Sequence, residues 1–485
     1  MTVSTLDYKP RMIPNEPNKL NLKRTVLISL GFLSVLISLS YYNFAVPLLL
    51  YDYYVPADFS FFFIKQNMLI GAIMTIDNVL AVFLQPYFAT LSDKTQSKFG
   101  RRMPYLIIGV LISAFFFGIA PWIQFLAGFV LMLFFYNLFM SFFRSPALTL
   151  LADYTSPDVR STASGIQQLL ANLGAGVAFF LPSIFAFLIP ETTVLFRRSL
   201  GFPIVSFIMV LCLLVLLLTI KETPTGDKFL AFNRKSIHID STTFQISKEV
   251  EDDYYPSDSV FSNIRELIFS QDKSTVFLLL AVFFWFTGFT AIEAFFAPFC
   301  TEYLGVDDAL AGIIVLAYPI SMIIASVPTG IIGQRIGSKK MIKICVILII
   351  IFSGLGSIFI VPLKSPFAVM FLVGIIGFVW MGVIVNTFPL IWALAPEEKI
   401  GSYTGIYYTF NQTAAIISPI TMGILLDLFI ILNLGADQDR FILLFPFISI
   451  CMVLAYLMLS GVKSSARILS EEKIKEYRTK YEEID

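Results

Sequence analysis

Charged residues are scarce in this chain of 485 residues. Asp, Glu, Lys and Arg make up 14% of it, against about 25% in soluble proteins. Apolar residues make up 57%, with 50 Phe among them, and the mean hydropathy is +0.80. A globular core could not hide so much apolar surface behind so few charges. Lipid must therefore surround most of the chain, which excludes an ordinary soluble protein.

Several residue types that common chemistries need are also rare. The single histidine, His238, excludes His-based metal sites and a Ser-His-Asp triad. The four cysteines form no CxxC pair and no disulfide framework. No GxxxxGK(S/T) loop occurs, so no ATP-driven engine is encoded. The 34 basic residues balance 34 acidic ones, which indicates no nucleic-acid partner. We expect no cofactor and no metal site.

Twelve apolar runs have the length that a membrane-spanning helix needs, which is about 20 residues. The first run is too long for the core of a cleavable signal peptide, so it predicts a retained membrane anchor. The runs cover approximately 25–49, 65–91, 103–122, 125–151, 162–189, 200–220, 273–299, 310–332, 341–361, 367–394, 403–431 and 441–461.

One long polar stretch, 221–272, separates the sixth run from the seventh and predicts a flexible linker. The sequence therefore predicts an all-α membrane protein with two six-helix bundles, 25–220 and 273–462. Two tails, 1–24 and 463–485, flank them. Such a six-plus-six pattern is typical of transporters built from two parallel repeats around a central path.

Lysine and arginine are distributed unevenly over the two sides that twelve spans create. If the N-terminus lies inside, the inner segments carry 28 of them and the outer segments carry five. The five are Lys65, Arg197, Arg198, Lys364 and Arg440. Because positive residues favour the cytoplasmic side, we expect both tails and the linker in the cytoplasm. The chain is then a multi-pass protein of the cell membrane.

The two halves carry similar loops at corresponding places. SDKTQSKFGRRMPY (92–105) follows the second run, and GIIGQRIGSKK (330–340) follows the eighth. Charge pairs at such helix ends can hold the inner opening closed, so we predict a cytoplasmic gate here. Its predicted members are Asp93, Gly100, Arg101, Arg102, Arg335 and Lys339.

Five stretches resemble a known transporter family. They are YYNFAVPLLL (41–50), QPYFATLSDKTQSKFGRRMPY (85–105), FRSPALTLLADYTSP (143–157), FFWFTGFTAIEAFF (283–296) and TFPLIWALAPEEKIGSYTGIYYTFN (387–411). The chain resembles the major facilitator superfamily and, within it, the glycoside–pentoside–hexuronide cation symporters, in particular their sucrose-transporter-like bacterial branch. The resemblance implies two six-helix bundles and a secondary transporter that carries a sugar or glycoside with a cation.

The chain departs from this family at two places. Melibiose-type relatives bind sodium with two aspartates on the second helix, and those positions are Ala81 and Gln85 here. This departure speaks against the family's sodium site, so we expect a proton as the coupling ion. Plant sucrose carriers have an arginine in the fourth helix where this chain has Leu148, whereas Arg144 lies one turn earlier.

Three of the ionisable residues inside apolar runs are candidates for the site. Insertion of such a side chain near the bilayer centre costs about 2.5–3.5 kcal/mol on insertion scales, so each is expected to have a functional or structural role. Asp77 is interpreted as a cavity carboxylate, and Glu293 as an acid below Trp285 and Phe289, a combination that suits a sugar. Arg144 is interpreted as a permanent charge that acts on a cavity acid. For all three, a static packing bond between helices is the alternative interpretation.

Neutral polar residues within the runs are further candidates. Each either contacts the substrate or forms an interhelical hydrogen bond. The candidates are Asn43, Gln85, Asn137, Gln168, Asn172, Asn386, Tyr407 and Asn411.

The sequence therefore predicts a monomeric, proton-coupled sugar or glycoside symporter that works by alternating access. One alternative is a carrier of an amphipathic drug or lipid, because Phe-rich cavities suit such solutes. A second is a non-transporting sugar sensor. A membrane enzyme that uses outer acids such as Asp307 and Asp308 is disfavoured, because the outer loops are too short for a catalytic domain.

Overall fold

A computed structural model describes residues 20–62, 64–95, 97–154, 157–220, 273–394 and 400–462. The predicted linker and nearly all of both predicted tails lie outside these residues. Within them, twelve helical segments are long and apolar enough to cross a membrane. This confirms the all-α membrane fold and the number of spans.

The first half contains six of these spans. Its helices are α1 (Leu22–Leu49), α2 (Gln66–Met74), α3 (Ile76–Lys94), α4 (Met103–Ile119), α5 (Leu126–Tyr154), α6 (Pro157–Leu188) and α7 (Val194–Thr219). Helices α2 and α3 together form the second span, which breaks at Thr75. The Thr75 hydroxyl donates to the carbonyl oxygen of Ala72 at 2.8 Å, a local bond that competes with regular helix.

The second half contains the other six spans. Its helices are α8 (Ser274–Pro298), α9 (Asp308–Ile336), α10 (Ser338–Leu355), α11 (Pro366–Leu394), α12 (Ile400–Ile431) and α13 (Leu444–Gly461). Short 3-10 segments extend α4, α10 and α13, at Ala120–Trp122, Val361–Leu363 and Asp437–Leu443.

Helices α1 and α8, which begin the two halves, end in the same way. A π-helical turn follows each, Leu50–Tyr54 after α1 and Phe299–Tyr303 after α8. A third such turn, Gly356–Ile360, follows α10. After the first turn comes a short antiparallel hairpin, β1 (Ser60–Phe61) and β2 (Ile64–Lys65), which the sequence did not predict.

Each half has its own helix packing. In the first half α1 packs on α6 and α7, α4 packs on α5 and α7, and α3 packs on α5. In the second half α8 packs on α12 and α13, and α11 packs on α9 and α10. Aromatic residues fill the contacts, for example Phe117, which stacks on Tyr136 with ring centroids 4.4 Å apart.

The halves meet through α2 against α12, α6 against α9, and α1 against α8. Glycines allow the first two contacts. A Cβ atom at Gly71 would lie 2.3 Å from the carbonyl oxygen of Pro419, and one at Gly312 would lie 2.2 Å from that of Phe179. Small residues let helices approach closely in a membrane.

The two ends of the molecule differ in charge and in the contacts between the halves. The basic end carries Arg101, Arg102, Arg335 and Lys339, next to loops in which Gly100 has φ +98°. Within the described residues, the hydrogen bonds and ion pairs between the halves lie at the opposite end. We call that end the closed end.

Candidate functional site

A central cavity lies between the halves and has two connected compartments. The polar compartment, about 710 Å³ with the space open to solvent, is bounded by α1, α3, α5, α8 and α12. Its polar side chains are Ser40, Asn43, Asp77, Asn78, Arg144, Thr290 and Glu293. The three ionisable residues that the sequence placed inside spans therefore face one space. Among the described residues, no cluster of His, Cys, Asp and Glu could hold a metal ion.

Asp77 lines this compartment from the helix that follows the break at Thr75. The break places Asp77 in the first turn of α3, where the helix dipole favours a negative charge. The Asn78 amide donates to Asp77 Oδ1 at 2.8 Å. One carboxylate oxygen is thus held by the protein, and the side chain is only half-buried.

Glu293 approaches the compartment from the second half, on α8. Its side chain is exposed to the cavity, although the residue lies in the middle of a span. Asp77 and Glu293 are close enough to repel each other electrostatically. The repulsion makes it costly for both to be charged at once.

Arg144, on α5, is the positive charge of the site. Both Asp77 and Glu293 attract it electrostatically. A guanidinium stays protonated in proteins, so the site holds one fixed positive charge and two carboxyl groups. One proton taken up by either acid would make the site neutral.

The aromatic compartment adjoins the polar one and measures about 1140 Å³ with the space open to solvent. Its aromatic side chains are Phe44, Phe179, Phe289, Phe296, Tyr318 and Trp380. The Phe289 ring stacks on Trp380 at 4.7 Å and 13°, and on Tyr318 at 5.4 Å and 30°. Tyr318 lies on α9 and Trp380 lies on α11. Neither is among the residues predicted from the sequence.

Besides the three ionisable residues, three predicted site residues line the cavity and a fourth lies next to one of them. Asn43 borders both compartments, whereas Asn172 and Phe289 line the aromatic one. Gln168 lies one turn from Asn172, and its Nε2 is 3.4 Å from Asn172 Oδ1. Gln168 itself is exposed and does not line either compartment.

The other predicted residues do not line either compartment. Trp285 is fully buried in the second half, where Tyr407 is also buried. The Asn386 amide donates to the carbonyl oxygen of Gly382 at 2.9 Å and to that of Thr329 at 3.4 Å, which joins α11 to α9. The remaining three do not border the cavity: Gln85 and Asn411 are half-buried, and Asn137 is buried in the first half.

The predicted gate residues at the basic end form bonds within their own halves. Arg101 and Arg102 both bind Asp153, at 2.5 Å and 3.1 Å. The Lys339 ammonium donates to the carbonyl oxygen of Val462, and Arg335 is exposed. The Asp93 side chain lies outside the described part of the structure. None of these bonds crosses between the halves.

An ion pair that does cross lies at the closed end. Arg198 on α7 donates to Asp308 on α9 through Nε at 2.6 Å and through Nη2 at 2.8 Å. It also pairs with Asp52, which follows α1. Arg198 is buried, so this two-point contact is a strong type of ion pair. From the sequence, Arg198 is recognisable only as one of the five outer charges.

A second polar contact crosses at the closed end, between α12 and α2. Asp427 accepts hydrogen bonds from the Asn67 backbone N–H at 3.2 Å, the Asn67 amide at 2.7 Å and the Met68 N–H at 2.8 Å. A carboxylate of one half thus caps a helix of the other half. Asp427 is an acid inside the eleventh apolar run, so the rule that found Asp77 and Glu293 could have found it.

One known protein shows sequence similarity to part of the chain. The plant sucrose transport protein SUC3 of Arabidopsis thaliana is 26% identical over 181 residues, which is 31% of this chain and 30% of that protein. The alignment thus spans less than a third of that relative's length.

Three solved structures share the fold. A bacterial homolog of the human lysosomal transporter Spinster, in an inward-facing conformation, is 14% identical with a TM-score of 0.68, over 92% of this chain and 98% of that one. The nucleoside transporter NupG is 13% identical with a TM-score of 0.67, over 91% and 100%. A D-xylose-proton symporter is 15% identical with a TM-score of 0.65, over 90% and 96%.

The sequence profile of the Major Facilitator Superfamily matches residues 28–419 and again 278–476. This confirms the resemblance at the level of the superfamily, whose members are transporters and not enzymes. The chain belongs to the Major Facilitator Superfamily.

Proposed function

We propose that this transporter is a proton-coupled symporter of a sugar or glycoside. The observation that carries the proposal is the polar compartment, where Asp77 and Arg144 of the first half face Glu293 of the second. Ionisable groups inside a membrane are costly and typically serve a transport path. Because Glu293 belongs to the other half, its distances to Asp77 and Arg144 change whenever the halves rock against each other.

The proton supplies the driving force in this proposal. One elementary charge that crosses 100 mV releases about 2.3 kcal/mol. Glu293 takes up a proton while the cavity faces outward, and the neutral acid then donates to a substrate hydroxyl. Rehydration of the cavity on the inner side favours release of both.

The proposed orientation places the basic end in the cytoplasm of a cell-membrane protein. It rests on the excess of Lys and Arg in the segments at that end. The closed end then faces outward, and the conformation described here is closed to the outside.

Two bundles, 25–220 and 273–462, rock about the cavity while the linker 221–272 joins them on the inner side. One chain supplies both bundles, so the working unit is a monomer.

Two observations support a sugar as the substrate and a place in the sucrose-transporter-like branch of the glycoside–pentoside–hexuronide symporters. The similarity to a plant sucrose transport protein agrees with the five family-like stretches. The polar compartment offers carboxylate and amide acceptors beside an arginine donor, which suits hydroxyl groups.

Sodium is not the coupling ion in this proposal. Ala81 replaces one of the family's sodium-binding aspartates and is buried, and Gln85 replaces the other.

The test is transport by the purified protein in liposomes. A panel of sugars and glycosides is offered under an imposed pH gradient, or under a sodium gradient at fixed pH. We expect accumulation of at least one sugar with the pH gradient alone. Accumulation driven only by sodium would refute proton coupling, and sugar binding without any flux would favour the sensor.

A second candidate function is export of an amphipathic solute. The observation that favours it is the aromatic compartment, whose wall is mainly aromatic and aliphatic. Loss of a preloaded amphipathic dye from liposomes, without uptake of any sugar, would support this candidate instead.

A further inference from the structure

We propose that the substrate is a monosaccharide glycoside with an apolar aglycone, and not a disaccharide. The sugar ring occupies the polar compartment and the aglycone occupies the aromatic compartment. This inference rests on the proposed function, since it names the substrate class of the same cavity.

The two compartments are joined in a way that suits one bipartite molecule. Ser40 and Asn43 of α1 and Glu293 of α8 border both of them. These side chains lie where the glycosidic oxygen of a bound glycoside would lie. On one side of them are the charged groups, and on the other is the aromatic wall.

The aromatic compartment offers few hydrogen-bonding groups to a second sugar ring. Beyond its border with the polar compartment, only Asn172, Tyr318 and Trp380 carry polar side-chain atoms, apart from the Met322 sulfur, and the rest of its lining consists of apolar side chains such as Val315 and Ile376. A pyranose carries several hydroxyls, and a hydroxyl that loses water without gaining a partner opposes binding. An aryl or alkyl group has no hydrogen bonds to lose there, and its transfer from water into the apolar compartment is favourable in free energy.

The aromatic wall is organised before any ligand arrives. Trp380 is buried and holds the Phe289 ring nearly parallel to its own. Tyr318 stacks on the same Phe289 ring. Rings that neighbours already hold in place cost little entropy on binding. The arrangement thus favours a flat or flexible apolar group over a hydrated one.

The experiment measures binding to the purified full-length protein. Glucose, galactose and mannose are compared as free sugars, as methyl glycosides, as phenyl glycosides and as disaccharides. For at least one sugar, we expect the phenyl glycoside to bind at least tenfold more tightly than the methyl glycoside. The disaccharides bind no more tightly than the methyl glycoside.

Two matched variants on α9 locate the aglycone. Val315→Trp fills the aromatic compartment, so the preference for phenyl over methyl should fall below threefold while methyl glycoside binding stays unchanged. Ile320→Trp adds the same side chain on the exposed side of the same helix and should leave the preference intact. Met322→Trp, which also lines the compartment, replaces Val315→Trp if the latter does not reach the membrane.

Four results would overturn the inference. Equal binding of methyl and phenyl glycosides, or tighter binding of a disaccharide, would refute the bipartite substrate but leave sugar transport standing. A phenyl preference that survives filling of the compartment would place the aglycone elsewhere. Binding of tetraphenylphosphonium with no binding of any glycoside would refute both this inference and the proposed function.

Discussion

Asp77 and Glu293 face the same compartment, but their surroundings differ. Asp77 accepts a hydrogen bond from Asn78 and sits at a helix start, which favours a charged acceptor. Glu293 borders the aromatic wall as well, and its side chain is exposed to the cavity. We therefore propose that Asp77 holds the substrate and that Glu293 exchanges the proton.

Asp77→Asn should therefore weaken substrate binding. A hydrogen bond to a charged group is worth about 1.5–3 kcal/mol, so we expect Kd to rise about 10- to 100-fold. Titration of the purified protein with its best substrate measures the change. The control is Asp437→Asn, an exposed acid outside the cavity, which should leave Kd unchanged. Unchanged binding in Asp77→Asn would show that this acid is not a substrate ligand.

The sequence pointed to the three charged residues that line the cavity and to Phe289, but not to the other aromatic residues of its wall. Asp77, Arg144 and Glu293 stand out because charges are rare inside apolar runs. Trp380 and Tyr318 lie in equally apolar runs of a chain with 50 Phe, and only the packing of α8, α9 and α11 shows which rings line the cavity.

At the scale of helices, closure depends on small residues as well as on polar contacts. Gly71 lets α2 touch the backbone of α12, since a Cβ there would lie 2.3 Å from the Pro419 oxygen. At Gly374 on α11, an added Cβ would meet nothing within 4 Å. The two glycines form a matched pair for substitution.

Gly71→Val should hold the closed end apart. Spin labels at two exposed positions, Glu191→Cys and Leu434→Cys, report the separation of the halves there in a background without the four native cysteines. We expect the longer distance to dominate in Gly71→Val and the shorter one in Gly374→Val. A short distance in both variants would show that this close approach does not control closure.

Asp427→Ala tests the polar contact of the same two helices. Loss of a helix cap costs about 1 kcal/mol, so we expect roughly a fivefold increase in the open population, measured with the same labels. In Asp437→Asn the distribution should stay as in the parent. No shift in Asp427→Ala would mean that its three hydrogen bonds are replaced by water at no cost.

The lengths of the apolar runs were enough to predict twelve spans, but not their irregularities. The break at Thr75 has no mark in the sequence, because its hydroxyl bond to Ala72 is of a kind that Ser34 also forms inside the unbroken α1. The hairpin Ser60–Lys65 has strands of two residues each, too short for an alternating pattern. Contacts between the halves, such as Arg198 with Asp308, join residues 110 positions apart, so spacing along the chain could not reveal them.

For the whole molecule, the orientation in the membrane is a separate prediction. Lys98, at the basic end, and Asp437, at the closed end, are both exposed. We expect Asp437→Cys to react with an impermeant thiol reagent in intact cells, and Lys98→Cys to react only after the membrane is opened. The reverse pattern would contradict the cytoplasmic position of the basic end.

The central claim is that a proton on Glu293 couples sugar movement to the membrane gradient. Glu293→Gln has the shape of the protonated acid but cannot release a proton. The most direct measurement compares two modes in liposomes with this variant, namely uphill accumulation under a pH gradient and exchange of sugar at equilibrium. The account predicts that accumulation is lost while exchange remains. Uphill accumulation that survives Glu293→Gln would contradict it.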